Sequence, residues 1–506
     1  MDAASLALAI IGLIDVCHRY GSRLVRLCRQ YRNISAELDE TILAIQGSWL
    51  KMETQLRTLT ALWNTLHPAL QTLYHNVLTR LETNLVRAYE SFEVIQARRD
   101  VAVNVRQRLK VVYLQRRLER TVQDLEEWQK RFYPSWYLIT RICESGWMVE
   151  GPSGRLARMR EVRRVDLSSQ SGGESIFKDA ATVMEKTCAV QGTNSYIAQY
   201  KNTGHHVLLD PANLTGRPST TSAKLYVRDL ARLLLHIDPM TFNLLRCDGV
   251  LEVATAAGPQ FHLIFSIPSA LSSPQTLRSL LASSSKCTLG HRFTLAKQLA
   301  RSVMFVHVSG FVHKNIRPET VLIFADSTTT GTKTPGPSFL IRFERTRKAE
   351  GRTDKFGDLE WEKNIYRRPL RQNLQPEDIF EMRHDTYSLG VCLLEIGLWH
   401  SFVQLEEEGG CTFVPWSVLG IEHAVGDKDQ RRGAFAIQER LVALAKEEVS
   451  ALVGERYTGV VVACLCCLNK SEDNSFRSEK MQDEDGIIVG VRYIENVLLK
   501  LEELVV

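Results

Sequence analysis

Helix breakers are spread so unevenly along the 506 residues that the chain divides itself. Only two of the fifteen prolines, Pro68 and Pro134, and four of the thirty glycines fall before residue 151. A stretch this poor in breakers commits to long helices. The apolar positions agree: Ile34, Leu38, Ile42, Ile45, Trp49, Met52, Leu56 and Leu59 advance in steps of three and four, which sets them on one helix face. Tyr74, Val77, Leu81, Leu85, Ala88, Phe92 and Ile95 do the same, as do Val111, Leu114, Leu118, Val122, Leu125 and Trp128. With the N-terminal segment, these runs predict an all-α bundle of four or five helices over residues 1–150.

From Gly151 to residue 175 the chain turns to Gly, Ser and Arg (RLARMREVRR, SSQSGGES), the composition of a linker. Beyond it, over 176–506, β-branched runs, turn residues and helical patterns alternate, which predicts an α+β domain; 327–338 reads as a polar loop. A hydrophobic fraction of 44% with 24% charged residues excludes a wholly disordered, collagen-like or multi-span membrane chain. A net charge of +5, from 63 basic and 58 acidic residues, is too near balance to argue for a nucleic-acid partner. Eleven irregularly spaced cysteines fit a reducing compartment better than a disulfide scaffold. The apolar run Ala3–Ile14 falls short of the roughly 20 residues that span a bilayer. It also lacks a basic region before it, since the first charge is Asp2, so it is expected to be retained rather than cleaved as a secretory signal.

The most informative segment is FVHVSGFVHKNIRPETVLIF (305–324). In order and spacing it resembles the H-R-D-L-K-P-x-N catalytic loop of protein kinases, preceded by a helix-like run at 295–307. HDTYSLGVCLLEIGLW (384–399) resembles the D-x-x-S-L-G-V-x-L-E segment that opens a buried helix of the kinase C-lobe. The resemblance implies a bilobal kinase-like fold, with 261–268 as the strand entering the hinge and SPQTLRSLLA (273–282) as the first C-lobe helix. Position by position, the chemistry is missing. The catalytic Asp is replaced by Asn315, an amide that is no base near neutral pH, and the metal-binding Asn by Thr320. The D-F-G segment reads R-F-E, placing Arg342 where a carboxylate would hold Mg²⁺. Leu370 stands for the Glu of A-P-E. No Gly-rich loop or V-A-I-K lysine is found, and neither Lys201 nor Lys224, the nearest lysines, lies in a strand-like run. What remains is architectural: His313 is expected to hold the loop backbone and Asp385 to hydrogen-bond the loop from below. The domain reads as a pseudokinase with no phosphoryl transfer and no cofactor. Mg²⁺-dependent nucleotide binding is disfavoured, and metal-free binding is left open.

The opening forty residues, with Gly12, Leu13 and Cys17, resemble the start of fungal HeLo and HeLo-like domains. A HeLo-type bundle followed by a kinase-like domain is an arrangement found in filamentous fungi. It is similar in plan to the mixed lineage kinase domain-like proteins of animal necroptosis. This resemblance implies a cell-death effector that relocates from the cytoplasm to the plasma membrane or another membrane and oligomerises there after an upstream signalling protein acts. The residues themselves fit contact with anionic lipids. Arg19, Arg23, Arg26, Arg29 and Arg32 form a stripe along one helix side, directly after the apolar run carrying Leu6, Leu8, Ile10, Ile11, Leu13 and Ile14. A solvated helix face and a buried first helix read the same way. Residues 98–120 add eight basic against two acidic side chains, while 1–150 as a whole carries only 20 basic minus 16 acidic, or +4. Two rival readings stay open, a signalling scaffold that never meets lipid and a residual kinase. Cys464, Cys466 and Cys467 lack the partners of a zinc site and read as core, and no metal is expected.

Overall fold

The computed structural model describes residues 3–30, 36–63, 66, 68–97, 116, 118–125, 128, 132, 176–179, 188–212, 220–235, 237–255, 258–283, 286–326, 335–343, 346–348, 359–373, 376–406, 412–469, 474–476 and 487–504. The chain forms two compact units, Met1–Ala157 and Arg158–Val506.

In the first unit, α1 (Ala3–Arg29), α2 (Ala36–Leu62) and α3 (Pro68–Ala97) are long helices, and residues 118–125 are helical too. Helix α2 buries Leu38, Ile42, Ile45, Trp49, Met52, Leu56 and Leu59, the face marked by its spacing. Each such side chain contributes about 1.5–3 kcal/mol when removed from water. Pro68 opens α3 at the position where its missing N–H costs nothing. Leu118, Leu125, Trp128 and Phe132 are buried, Trp128 stacks on Phe132 at 4.7 Å, and its indole N–H donates to the Val77 carbonyl at 3.3 Å. The expected positions Ile34, Val111 and Leu114, and the linker 151–175, lie outside the described residues.

Helix α1 packs against both α2 and α3. Its inner face runs Ile10, Ile14, Cys17, Gly21, Leu24 and Cys28. Gly21 is there for room: a Cβ at that position would overlap the Trp49 ring. Burial pushes the Cys17 and Cys28 thiols up to about 12.

The second unit begins with a six-stranded sheet. Its strands are β1 (Phe177–Lys178), β2 (Cys188–Ala189), β3 (Tyr196–Gln199), β4 (His206–Ala212), β5 (Arg246–Thr255) and β6 (Gly258–Ser266). The order is β1-β5-β6-β4-β3-β2, antiparallel except for β1 beside β5. Helix α4 (Thr220–Leu235) packs on β5 and β6. β4 and β6 are buried along continuous runs, as central strands covered on both faces are. Gly249 sits at a bulge in β5 where a Cβ would come within 2.7 Å of the Ile176 carbonyl, so β1 approaches only because that side chain is absent.

Further along lie β7 (Leu271–Thr276), a short helix Leu277–Ala282 and α5 (Leu289–Val308). Then come β8 (Phe311–Val312), β9 (Val321–Asp326), β10 (Ser338–Leu340) and β11 (Arg347–Lys348). β10, β9 and β7 form a three-stranded sheet, and β8 pairs with β11. The stretch 273–282, expected to be helical throughout, is strand up to Thr276, whose hydroxyl accepts the Ser279 amide and caps the short helix. Helix α6 (Met382–Leu398) is buried from Met382 to Gly397 save Arg383, so it runs through the core. Gly390 lets α6 meet the helix α8 (Glu455–Leu465), since a Cβ would come within 2.7 Å of Cys464 Cβ. A hairpin of β12 (Val403–Glu406) and β13 (Thr412–Pro415) and the helix α7 (Gln430–Leu444) lie between α6 and α8.

Replacing Gly21 with Ala should therefore cost the bundle about 1–3 kcal/mol through overpacking on Trp49. Gly12→Ala meets nothing within 4 Å and should stabilise α1 by up to about 1 kcal/mol. Paired thermal melts of the full chain read both; equal shifts would contradict the packing.

Candidate functional site

The residues singled out around 313–320 come together over the N-terminal end of α6. Asp385, in the first turn, is fully buried. Its carboxylate accepts the His313 amide at 2.7 Å and the Lys314 amide at 2.8 Å, and lies 3.2 Å from His307 Nε2. Burial alone would raise its pKa, but hydrogen bonding from His307, the charges of His307 and His313 and the His313 amide outweigh it and hold Asp385 below the usual carboxylate range. Clamped this way, Lys314 takes a left-handed backbone (φ 66°). The His313 ring reaches the Ile341 carbonyl at 3.1 Å through Nε2 and meets Phe343 edge-on at 5.0 Å.

The positions Asn315, Thr320, Arg342 and Leu370 take part in the local bonding. Asn315 is buried, and its backbone carbonyl accepts the Thr320 hydroxyl at 2.9 Å. That hydroxyl also bonds Arg317 backbone, stapling the turn Pro318–Thr320. Arg342 follows β10 with φ 68°, and its amide donates to Asp210 Oδ2 at 2.9 Å. The Leu370 carbonyl accepts the Glu377 and Asp378 amides, while Arg368 pairs with Asp378 at 2.6 Å. Lys224 lies on α4 and pairs with Glu252 at 2.6 Å; Lys201 lies in the turn after β3. Among the described residues no group of three or more His, Cys, Asp or Glu could hold a metal ion.

On α1, Arg19, Arg23, Arg26 and Arg29 are all exposed along one face. Asp15, one turn ahead, pairs with Arg19 at 2.6 Å, so that end of the stripe is neutralised. Arg32 lies outside the described residues. Ile10 and Ile14 are core, Leu13 is half-buried and Ile11 is 56% exposed. Leu6 and Leu8 lie on the helix backbone, and their side chains are outside the described ones. No helix among the described residues is long and apolar enough to cross a membrane.

Two polar clusters escape the motif reading. Asp210 in β4 is one. The other centres on Arg278, which lies 2.8 Å from Glu319 without the alignment of a hydrogen bond. It donates to the Tyr366 hydroxyl at 3.0 Å, Ser401 Oγ at 3.0 Å and the Val403 carbonyl at 3.2 Å. Tyr366 donates in turn to Glu395, fully buried on α6, which also accepts the Phe402 amide at 2.8 Å. The signal for Glu395 was a lone acid inside an apolar helical run; its partners, far off in sequence, were not readable.

No family model matches the chain, and no curated protein matches it.

Burial pushes the Glu395 carboxyl up to about 7, against the pull of Arg278, the Phe402 amide and Tyr366. The folded protein thus holds a proton that the unfolded chain releases near 4.5, and stability should fall as pH rises from about 4.5 to 7, by up to about 3 kcal/mol. Asp385 and Glu319, both held low, act in the opposite sense at more acidic pH, where protonating them removes stability. Melting curves of the full chain between pH 5 and 8 should lose this slope in Glu395→Gln. An unchanged slope would remove Glu395 as its source.

Proposed function

We propose that the chain is a regulated cell-death effector in which a pseudokinase domain, within Arg158–Val506, governs a HeLo-like helical bundle that acts on anionic membranes. The observation that carries the membrane half is the exposed arginine face of α1, on the same helix whose opposite face is apolar and buried. Basic side chains near an anionic surface contribute about 1 kcal/mol each. Arg23, Arg26 and Arg29 supply three beyond the Arg19–Asp15 pair.

Support for the pseudokinase half comes from the loop 311–320 clamped by Asp385, the five antiparallel strands β2 to β6 with α4 between β4 and β5, and the buried helix α6. Phosphoryl transfer depends on positioned charge; Asn315 carries none, the Thr320 hydroxyl is taken up by backbone, and the Arg342 guanidinium lies 3.9 Å from Asp210. The protein would wait in the cytoplasm and assemble as a homo-oligomer at a membrane when an upstream protein signals. One observation favours the scaffold alternative: Ile10 and Ile14, expected at the inserting tip, are in the bundle core.

That burial also decides the useful test. Ile10→Glu would break the core and report on folding, whereas Ile11 is exposed and can be changed without cost to packing. Binding of residues 1–157 to vesicles containing anionic lipid should weaken by about 3 kcal/mol, roughly a hundredfold, in the triple variant Arg23→Glu/Arg26→Glu/Arg29→Glu. Ile11→Glu should keep binding and lose dye release. A bundle that stays folded and binds neutral and anionic vesicles equally would favour the scaffold.

A further inference from the structure

Asp210 stands in β4 at 1% exposure, within the run Val207–Ala212, whose other members are apolar. A carboxylate in such surroundings persists only when its oxygens are satisfied. Ser195, itself fully buried between β2 and β3, donates its hydroxyl to Oδ1 at 2.7 Å. The Arg342 amide donates to Oδ2 at 2.9 Å, and the Arg342 guanidinium lies 3.9 Å from Oδ1. Arg342 is held in a left-handed conformation, which a non-glycine residue keeps only where its surroundings impose it. The next residue, Phe343, is buried with its ring against His313 and Phe265. One carboxylate therefore ties the β2–β3 loop and β4 to the segment that closes on the 311–320 loop.

We propose that Asp210 and Arg342 form an internal clasp that joins the six-stranded sheet to the loop layer, keeps this region closed without a ligand, and opens when the pair is broken. The carboxylate is spent on Ser195 and Arg342, and the guanidinium faces the carboxylate, so neither is available to a phosphate or a divalent cation. The clasp lies wholly within Arg158–Val506 and does not depend on the membrane reading.

Hydrogen exchange of the full chain, followed over residues 206–212 and 338–343, tests it. Arg342→Gln removes the cation at a position with some solvent access, and Asp210→Asn removes the anion while keeping an acceptor for Ser195. Both should raise exchange in both segments, Asp210→Asn by about tenfold or more, the range of a charged hydrogen bond, and Arg342→Gln by about two- to fivefold, since it removes the 3.9 Å ion pair and leaves the amide bond. The double variant should open no further than the larger single variant, and Arg342→Lys should keep protection. Thermal melts with ATP, with and without Mg²⁺, should leave the parent protein unshifted. Exchange confined to the altered segment, fully additive effects in the double variant, or a rise in melting temperature with ATP would each overturn the clasp. Should Asp210→Asn fail to fold, opening of 206–212 in Arg342→Gln decides alone.

Discussion

The second unit depends on one buried carboxylate. Taking Asp385 out of water is costly, and it is tolerated because its oxygens face two backbone amides and the His307 ring. Those amides belong to His313 and Lys314, so the same bonds set the path of the 311–320 loop and force Lys314 into its left-handed conformation. Helix α6 must then be buried to carry the acid there. Gly390 and Gly397 permit this by admitting the side chains of Cys464, Val449 and Tyr457 against the helix backbone.

Two further acid clusters extend this pattern outward, and they differ in what balances them. Around Arg278, one guanidinium serves Glu319 directly and Glu395 through Tyr366, so Glu395 is left under-compensated and its carboxyl rises toward neutrality. Around Asp210, one acid receives a hydroxyl, an amide and a guanidinium. The first cluster ties the hairpin β12–β13, the segment at Tyr366 and the turn at Glu319 to the short helix Leu277–Ala282; the second ties sheet to loop. Apolar burial gathers these segments without direction, and the hydrogen bonds fix which residue meets which.

Where contacts are local, the residues announced them. The spacing of Leu38 through Leu59 marks the face that α2 buries, because helical neighbours three and four apart share a side by geometry. The loop residues His313, Asn315 and Thr320 are likewise gathered at one place. β7 was not legible: Leu271–Thr276 is a polar run interrupted by a bulge, with Ser273 at φ 47°, and only pairing with β9 makes it a strand. Nor was Asp210, whose partners Ser195 and Arg342 are 15 and 132 residues away. Arg19 shows the same limit at short range, since its neutralising partner Asp15 lies just before the arginine stripe.

The two faces of α1 set a condition on any membrane role. Removing Ile10, Ile14 and Leu24 from the core would cost about 1.5–3 kcal/mol each, before the cysteines on the same face are counted. Attraction of Arg23, Arg26 and Arg29 to an anionic surface returns about 1 kcal/mol each. Headgroup contact of that size falls short of pulling α1 out of the bundle. Leaving the bundle requires that the buried isoleucines and leucine find apolar surroundings elsewhere, in acyl chains or against other copies. A single α1 cannot supply that by spanning, since its 27 residues are long enough but not apolar enough to cross a membrane. On the proposed membrane role, surface binding and permeabilisation would be separable steps, the first set by exposed charge and the second by the stability of the bundle that keeps Ile10 and Ile14 inside.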